Sequence, residues 1–184
     1  MSSHPTDDTP ALVDLLAQAL LQRGWSLVTA ESCTGGLISA ACTELAGSSQ
    51  WFERGFVTYS NDAKHESLGV DAALIARVGA VSEPVAQAMA LGALRHAKAQ
   101  VSLAVTGVAG PTGGSASRPV GTVCFAWALP SDSGPTLGAD TAWVKPSANT
   151  LTATAPKCAA PPCNTPCAVC CFGWGKTEAE HDLV

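Results

Sequence analysis

The segment SLVTAESCTGGLISAACTEL, residues 26–45, changes its hydrophobic period halfway along. Its first part, Ser26 to Ala30, is a short run of small and β-branched residues, the pattern of a buried strand. Its second part places Leu37, Ile38, Ala41 and Leu45 at helical spacing, after Gly35 and Gly36 have made a tight entry possible. A strand, a glycine turn and a helix in succession form the repeating unit of a layered α/β protein. Upstream, Thr9-Pro10 resembles a helix start, and Leu12, Leu15, Leu16, Ala19 and Leu20 suggest one apolar face ending near Gly24. Downstream, Phe56 to Ser60 is expected as a strand and Ala72 to Val78 as a short helix. Ser82-Glu83-Pro84 then caps an Ala-rich helix reaching about Lys98. Val101 to Thr106 is expected as a third strand, followed by the loop GVAGPTGGSASRP. Val120 to Leu129 is nearly continuously apolar, as a strand is when both sheet faces are covered.

Composition narrows the function classes. Of 184 residues, ten are Lys or Arg and fifteen Asp or Glu, giving a formal net charge of −5. Without a basic stripe the chain cannot displace counterions from a phosphate backbone, so a nucleic-acid partner is not expected. No apolar run approaches the roughly 18 residues of a membrane-spanning helix, and MSSHPTDDTP lacks a signal-peptide pattern, so a cytoplasmic protein with no membrane partner is expected.

Three loops at strand ends carry the candidate chemistry. Between strand and helix, Ser32, Cys33 and Thr34 sit where unpaired backbone N–H groups can stabilise an oxyanion, so Ser32 is a candidate nucleophile. The alternative is that Ser32 or Thr34 merely caps the helix. Cys33 is a rival nucleophile, although free cysteines more often pack as small buried residues. A serine needs a base. The segment FVTYSNDAKHESLGV, residues 56–70, brings Tyr59, Asn61, Asp62 and Lys64 to one loop, with His65 beside them. Lys64 acts as a base only where burial or neighbours lower its proton affinity; otherwise it is a solvated surface residue. The third loop, Thr106 to Gly114, holds four glycines and admits close approach of a ligand, though it matches neither the Walker nor the dinucleotide spacing and reads equally as a plain connection.

Together AESCTGGLIS, FVTYSNDAKHESLGV, AVSEPVAQAMALGAL and AVTGVAGPTGG followed by PVGTVCFA resemble, in order and spacing, the C-terminal domain family of the competence/damage-inducible protein CinA. The resemblance spans about residues 10 to 129. It implies a three-layer α/β/α sandwich and hydrolysis of the carboxamide of nicotinamide mononucleotide to nicotinate mononucleotide and ammonia, without metal or cofactor. By the same resemblance Ser32 is the nucleophile, Lys64 and Tyr59 assist it, and Cys33, Thr34, Gly35, Asn61, Thr106, Gly107, Gly110 and Gly113 form the pocket for a small nucleotide. A homo-oligomer is implied as well.

The chain divides by composition into residues 8–129 and a tail, 130–184. Residues 130–171 hold seven of the twelve prolines, and Cys158, Cys163, Cys167, Cys170 and Cys171 are five of the eight cysteines. One C-x-x-C without a second pair is a poor zinc site, and a disulfide framework conflicts with the cytoplasmic reading. Such a tail is expected to pack poorly. The further strand, the GDR segment and the terminal helix that the resemblance implies are not visible in it. Permitted codons for residues 149–171, read two bases later, give HFDGDRAEVRRATVQHALRGLL, which supplies them. A frameshift between about Pro130 and Asn149 is therefore inferred, and with it an alternative function: a weakened remnant that folds or binds nucleotide without turnover.

Overall fold

Strands of small and β-branched residues alternate with helices along most of the chain, and the computed structural model, which describes residues 9–130 together with the strand Ala142–Pro146, shows how they layer. The elements are α1 (Thr9–Arg23), β1 (Leu27–Glu31), α2 (Leu37–Glu44), a 3₁₀ turn (Ser48–Gln50), β2 (Phe52–Val57), α3 (Asn61–Leu68), α4 (Ala72–Val78), α5 (Glu83–Arg95), β3 (Val101–Gly107), β4 (Val123–Pro130) and β5 (Ala142–Pro146). They form one five-stranded mixed sheet in the order β2-β1-β3-β4-β5. The first three strands are parallel; β4 pairs antiparallel with β3, and β5 antiparallel with β4.

Strand alternation divides the core into two layers. Val28 and Ala30 of β1 and Ala104 of β3 face α3, α4 and α5, packing with Leu68, Ile75, Val85, Met89 and Ala93. Leu27 of β1 and Val101 of β3 face the other way, onto Val13, Ala17 and Leu20 of α1 and onto Cys42 and Trp51. Every residue of β1 is buried, as expected of a central parallel strand. The sequence expectation of a layered α/β fold with helices on both faces is met.

Several local expectations are corrected. The buried face of α1 is Val13, Ala17 and Leu20, whereas Leu15 is 62% exposed, so the leucines pointed to a face rotated from the true one. The second strand lies at Phe52–Val57 rather than at 56–60, and Ser60 begins a helix instead of ending a strand. Residues 61–68, expected as loop, are helix α3: the Ser60 hydroxyl accepts from the Ala63 N–H at 3.0 Å, and Gly69 closes the other end in a left-handed conformation. The last described strand, β5, falls within the tail where no further strand was visible. Trp143 and Val144 suit a strand, and β5 aligns with Ala126–Pro130 of β4. The remainder of the tail, with its five cysteines and the proposed frameshift, lies outside the described residues.

Gly92 sets the approach of α5 to α3. A Cβ there would overlap the Leu68 carbonyl oxygen and stand 2.9 Å from the Leu68 Cβ. Gly92→Ala is expected to cost about 1–3 kcal/mol, read as a lower urea midpoint with an unchanged slope.

Candidate active site

Because β2, β1 and β3 are parallel neighbours, their carboxyl ends lie side by side. The chain leaves β1 for β2 on one side and later returns to β3 on the other, the reversal that opens a crevice at the strand ends of α/β sheets. Ser32 follows β1 directly, and its N–H donates to the Val105 carbonyl at 2.9 Å, which extends the β1 to β3 ladder by one residue. Thr58 is held likewise, its N–H donating to the Glu31 carbonyl at 2.7 Å. The crevice contains a cavity of about 180 Å³ lined by Ser32, Cys33, Tyr59, Asn61, Lys64, Ala80, Val81, Thr106, Gly107 and Ala109.

Lys64 is not a surface residue. It is 1% exposed, on the inner side of α3 one turn before the buried Leu68. Its Nζ lies 2.9 Å from Ser32 Oγ, 2.8 Å from the Thr58 carbonyl oxygen and 3.3 Å from the Tyr59 carbonyl oxygen. No ion pair to it is present among the described residues. Burial pushes its proton affinity below the ordinary lysine value, with Cys33 acting second and in the opposite sense. Carbonyl oxygens only accept, so a neutral amine here directs its two N–H bonds at Thr58 and Tyr59 and leaves its lone pair for the Ser32 hydroxyl proton.

The turn that carries Ser32 is shaped by Glu31, which sequence reasoning passed over. Its carboxyl group is fully buried. Oε2 accepts from Thr34 Oγ1 at 2.7 Å and from the N–H groups of Gly36 and Ile38, both at 3.0 Å. Oε1 accepts from the Ser39 N–H at 2.8 Å and the Ser39 hydroxyl at 2.6 Å. The first-turn donors of α2 are thus taken by an internal anion and do not point outward as expected for an oxyanion site. Gly36, at φ 103°, supplies the left-handed entry that lets the chain fold back over that carboxyl group. The signal was present in the sequence, an acid at a strand end directly before a glycine-opened helix.

Of the residues expected at the site, the structure brings together Ser32, Lys64, Cys33, Asn61, Thr106 and Gly107, with Thr106 Oγ1 donating to the Ala80 carbonyl at 3.0 Å. Tyr59 lines the cavity, but its side chain is 72% exposed and it meets Lys64 through its carbonyl oxygen. Thr34 and Gly35 serve the turn beneath, Gly35 donating to the Ser32 carbonyl at 3.1 Å. Gly110 and Gly113 are not among the lining residues. Ala80, Val81 and Ala109 are, and nothing in their types singled them out. The described residues contain no group of metal-ligating side chains, and no helix among them is long and apolar enough to cross a membrane.

Comparison with known proteins gives concordant matches. The family model of the CinA C-terminal domain matches residues 10–137. The chain is 55% identical over 117 residues to the nicotinamide-nucleotide amidohydrolase PncC of Escherichia coli strain K12, covering 64% of this chain and 71% of that protein. It is 54% identical over 121 residues to a CinA-like protein of Syntrophobacter fumaroxidans, covering 66% of this chain but only 28% of that much longer relative. Among solved structures, a competence/damage inducible protein from Agrobacterium tumefaciens superposes with a TM-score of 0.66 at 44% identity, covering 79% of this chain and 83% of that one.

Proposed function

Since the chain belongs to the CinA C-terminal domain family, we propose that it is an amidohydrolase that converts a nicotinamide nucleotide to the nicotinate nucleotide and ammonia through a Ser32–Lys64 pair. The observation that carries the reading is the 2.9 Å approach of a buried amine, with no ion-pair partner among the described residues, to the hydroxyl at the end of β1. The E. coli relative is named for this activity, and the family match at residues 10–137 spans the segments that supply both residues.

Ser32 Oγ attacks the carboxamide carbon while Lys64 Nζ takes the hydroxyl proton. The carbonyl oxygen becomes an oxyanion next to the 33–34 turn, where the Thr34 N–H makes none of the described hydrogen bonds and serves as donor. Lys64 then returns its proton to the amide nitrogen, the carbon–nitrogen bond breaks, and ammonia leaves an ester on Ser32. Water, deprotonated by the same amine, attacks the ester; the bond to Ser32 Oγ breaks as Lys64 returns the proton to it, and the acid is released and ionises. Tyr59 contributes through its main chain, holding Nζ in place.

The test is ammonia release from nicotinamide mononucleotide by the full chain, together with the intact mass of enzyme quenched during turnover. Release of ammonia, with an added acyl mass mapped to Ser32, is the expected result. Binding of the nucleotide without ammonia would instead favour the non-hydrolytic alternative, and ammonia release without any adduct on Ser32 would overturn the covalent route.

A further inference from the structure

The cavity at Ser32, about 180 Å³, is smaller than the roughly 300–1,000 Å³ of pockets that enclose drug-sized ligands. A whole nucleotide held there must continue beyond it. The way out is visible. A second depression of about 270 Å³ shares Asn61 and Ala80 with the first and runs between α3 and α4, over Asp62, His65, Ile75, Ala76 and Gly79.

The polar groups along this depression are biased in one direction. Asp62 is exposed, enters none of the described hydrogen bonds or ion pairs, and offers only acceptor lone pairs when ionised. His65 Nδ1 lies 2.8 Å from the Val70 carbonyl oxygen, which can only accept, so Nδ1 carries a hydrogen directed away from the depression's polar groups. Among the described residues no Lys or Arg lines the depression. Arg118 is close behind Gly79 but donates to the Val78 carbonyl at 2.8 Å and is not a lining residue. Acceptors without a cation suit hydroxyl donors and repel a phosphate, and Ile75 with Ala76 offers the apolar floor that a sugar ring covers.

We propose that the depression between α3 and α4 is a sugar-reading subsite, in which Asp62 and the Asn61 side-chain oxygen accept the hydroxyls of a ribosyl group attached to the ring held at Ser32. The inference builds on the amidohydrolase reading for what occupies the first cavity. It assigns the ribose to α3 and α4 and places the phosphate outside this depression.

Titration calorimetry on the Ser32→Ala protein, with nicotinamide riboside and its 2′,3′-dideoxy analogue, tests it. The riboside is expected to bind about tenfold more tightly, the scale of a hydrogen bond to a charged group. Adding Asp62→Ala should reduce that preference to the part the Asn61 oxygen supplies, and Asp62→Asn, which keeps one acceptor, should retain more of it. Equal binding of the two ligands to the Ser32→Ala protein, or a preference undiminished by Asp62→Ala, overturns the subsite. The two readings fail separately. Hydroxyl preference without ammonia release by the wild type leaves the subsite standing and removes the hydrolase; turnover without the preference does the reverse.

Discussion

Ser32→Ala and Lys64→Met are each expected to lower kcat for nicotinamide nucleotide hydrolysis by about 10³–10⁶, with the double variant no worse than the poorer single one. The non-additivity follows from the contact: a hydroxyl without its base and a base without its hydroxyl are equally idle, so removing the second partner takes nothing further away. Lys64→Arg should not rescue, because a guanidinium stays protonated throughout the accessible range. In the wild type, kcat/KM should rise with pH as Lys64 loses its proton, with a midpoint below the ordinary lysine value of 10.5, since burial disfavours the charged form. Stability carries the same signature. Between the lowered folded value and 10.5 the unfolded chain binds the extra proton and the folded chain does not, so unfolding free energy rises with pH across that window. Urea unfolding of wild type and Lys64→Met at several alkaline pH values should show this rise in the first and not in the second. A pH–rate limb unchanged by moving Lys64's environment, or two parallel stability profiles, would remove Lys64 as the base.

Why a lysine at such a position escaped assignment from periodicity is itself physical. In α3, NDAKHESL, the only large aliphatic side chain is Leu68, so the segment shows no apolar stripe. The inner face is made by Lys64 and Leu68, one turn apart, with the lysine stem occupying the place of a core aliphatic. The helix is set by its ends, the Ser60 cap and the Gly69 exit, and by packing on α5. The β2 strand was misplaced for a related reason: FERGFV is charged and only partly buried because it is a sheet edge, whereas the following residues are better strand formers by type. The central strands β1 and β3 could be read because burial on both faces leaves little choice of residue. In α1, leucines on several sides left the phase undetermined, and only contact with Trp51, Leu27 and Val101 fixes Val13, Ala17 and Leu20 as the buried row. For the site, the glycine turns and the serine announced themselves, but the internal use of Glu31 could not be seen, since an acid after a strand is equally at home on the surface.

Glu31→Ala is expected to produce the largest loss of stability of any single change considered, about 3–5 kcal/mol, because it breaks a buried hydrogen-bond network and leaves several donors unsatisfied at once. Its carboxyl group satisfies three main-chain donors, of Gly36, Ile38 and Ser39, and the hydroxyls of Thr34 and Ser39, all away from water. Its charge is felt by its surroundings: burial first, and Glu31 second, push the Cys42 thiol up to about 12. Glutamine, though isosteric, should not restore the site. Each carboxyl oxygen faces at least one N–H that can only donate, Gly36 and Ile38 on one side and Ser39 on the other. Whichever way the amide is turned, its NH₂ meets a donor, so Glu31→Gln is expected to cost about 1–3 kcal/mol. Because Ser32 is the next residue, the loosened turn should also move Oγ relative to Lys64, lowering kcat by more than it raises KM. Chemical unfolding of the two variants, with kcat and KM for Glu31→Gln at a temperature where it is fully folded, checks both parts. A Glu31→Gln protein as stable as wild type would mean that the donors find water instead, and that the turn does not depend on this carboxyl group.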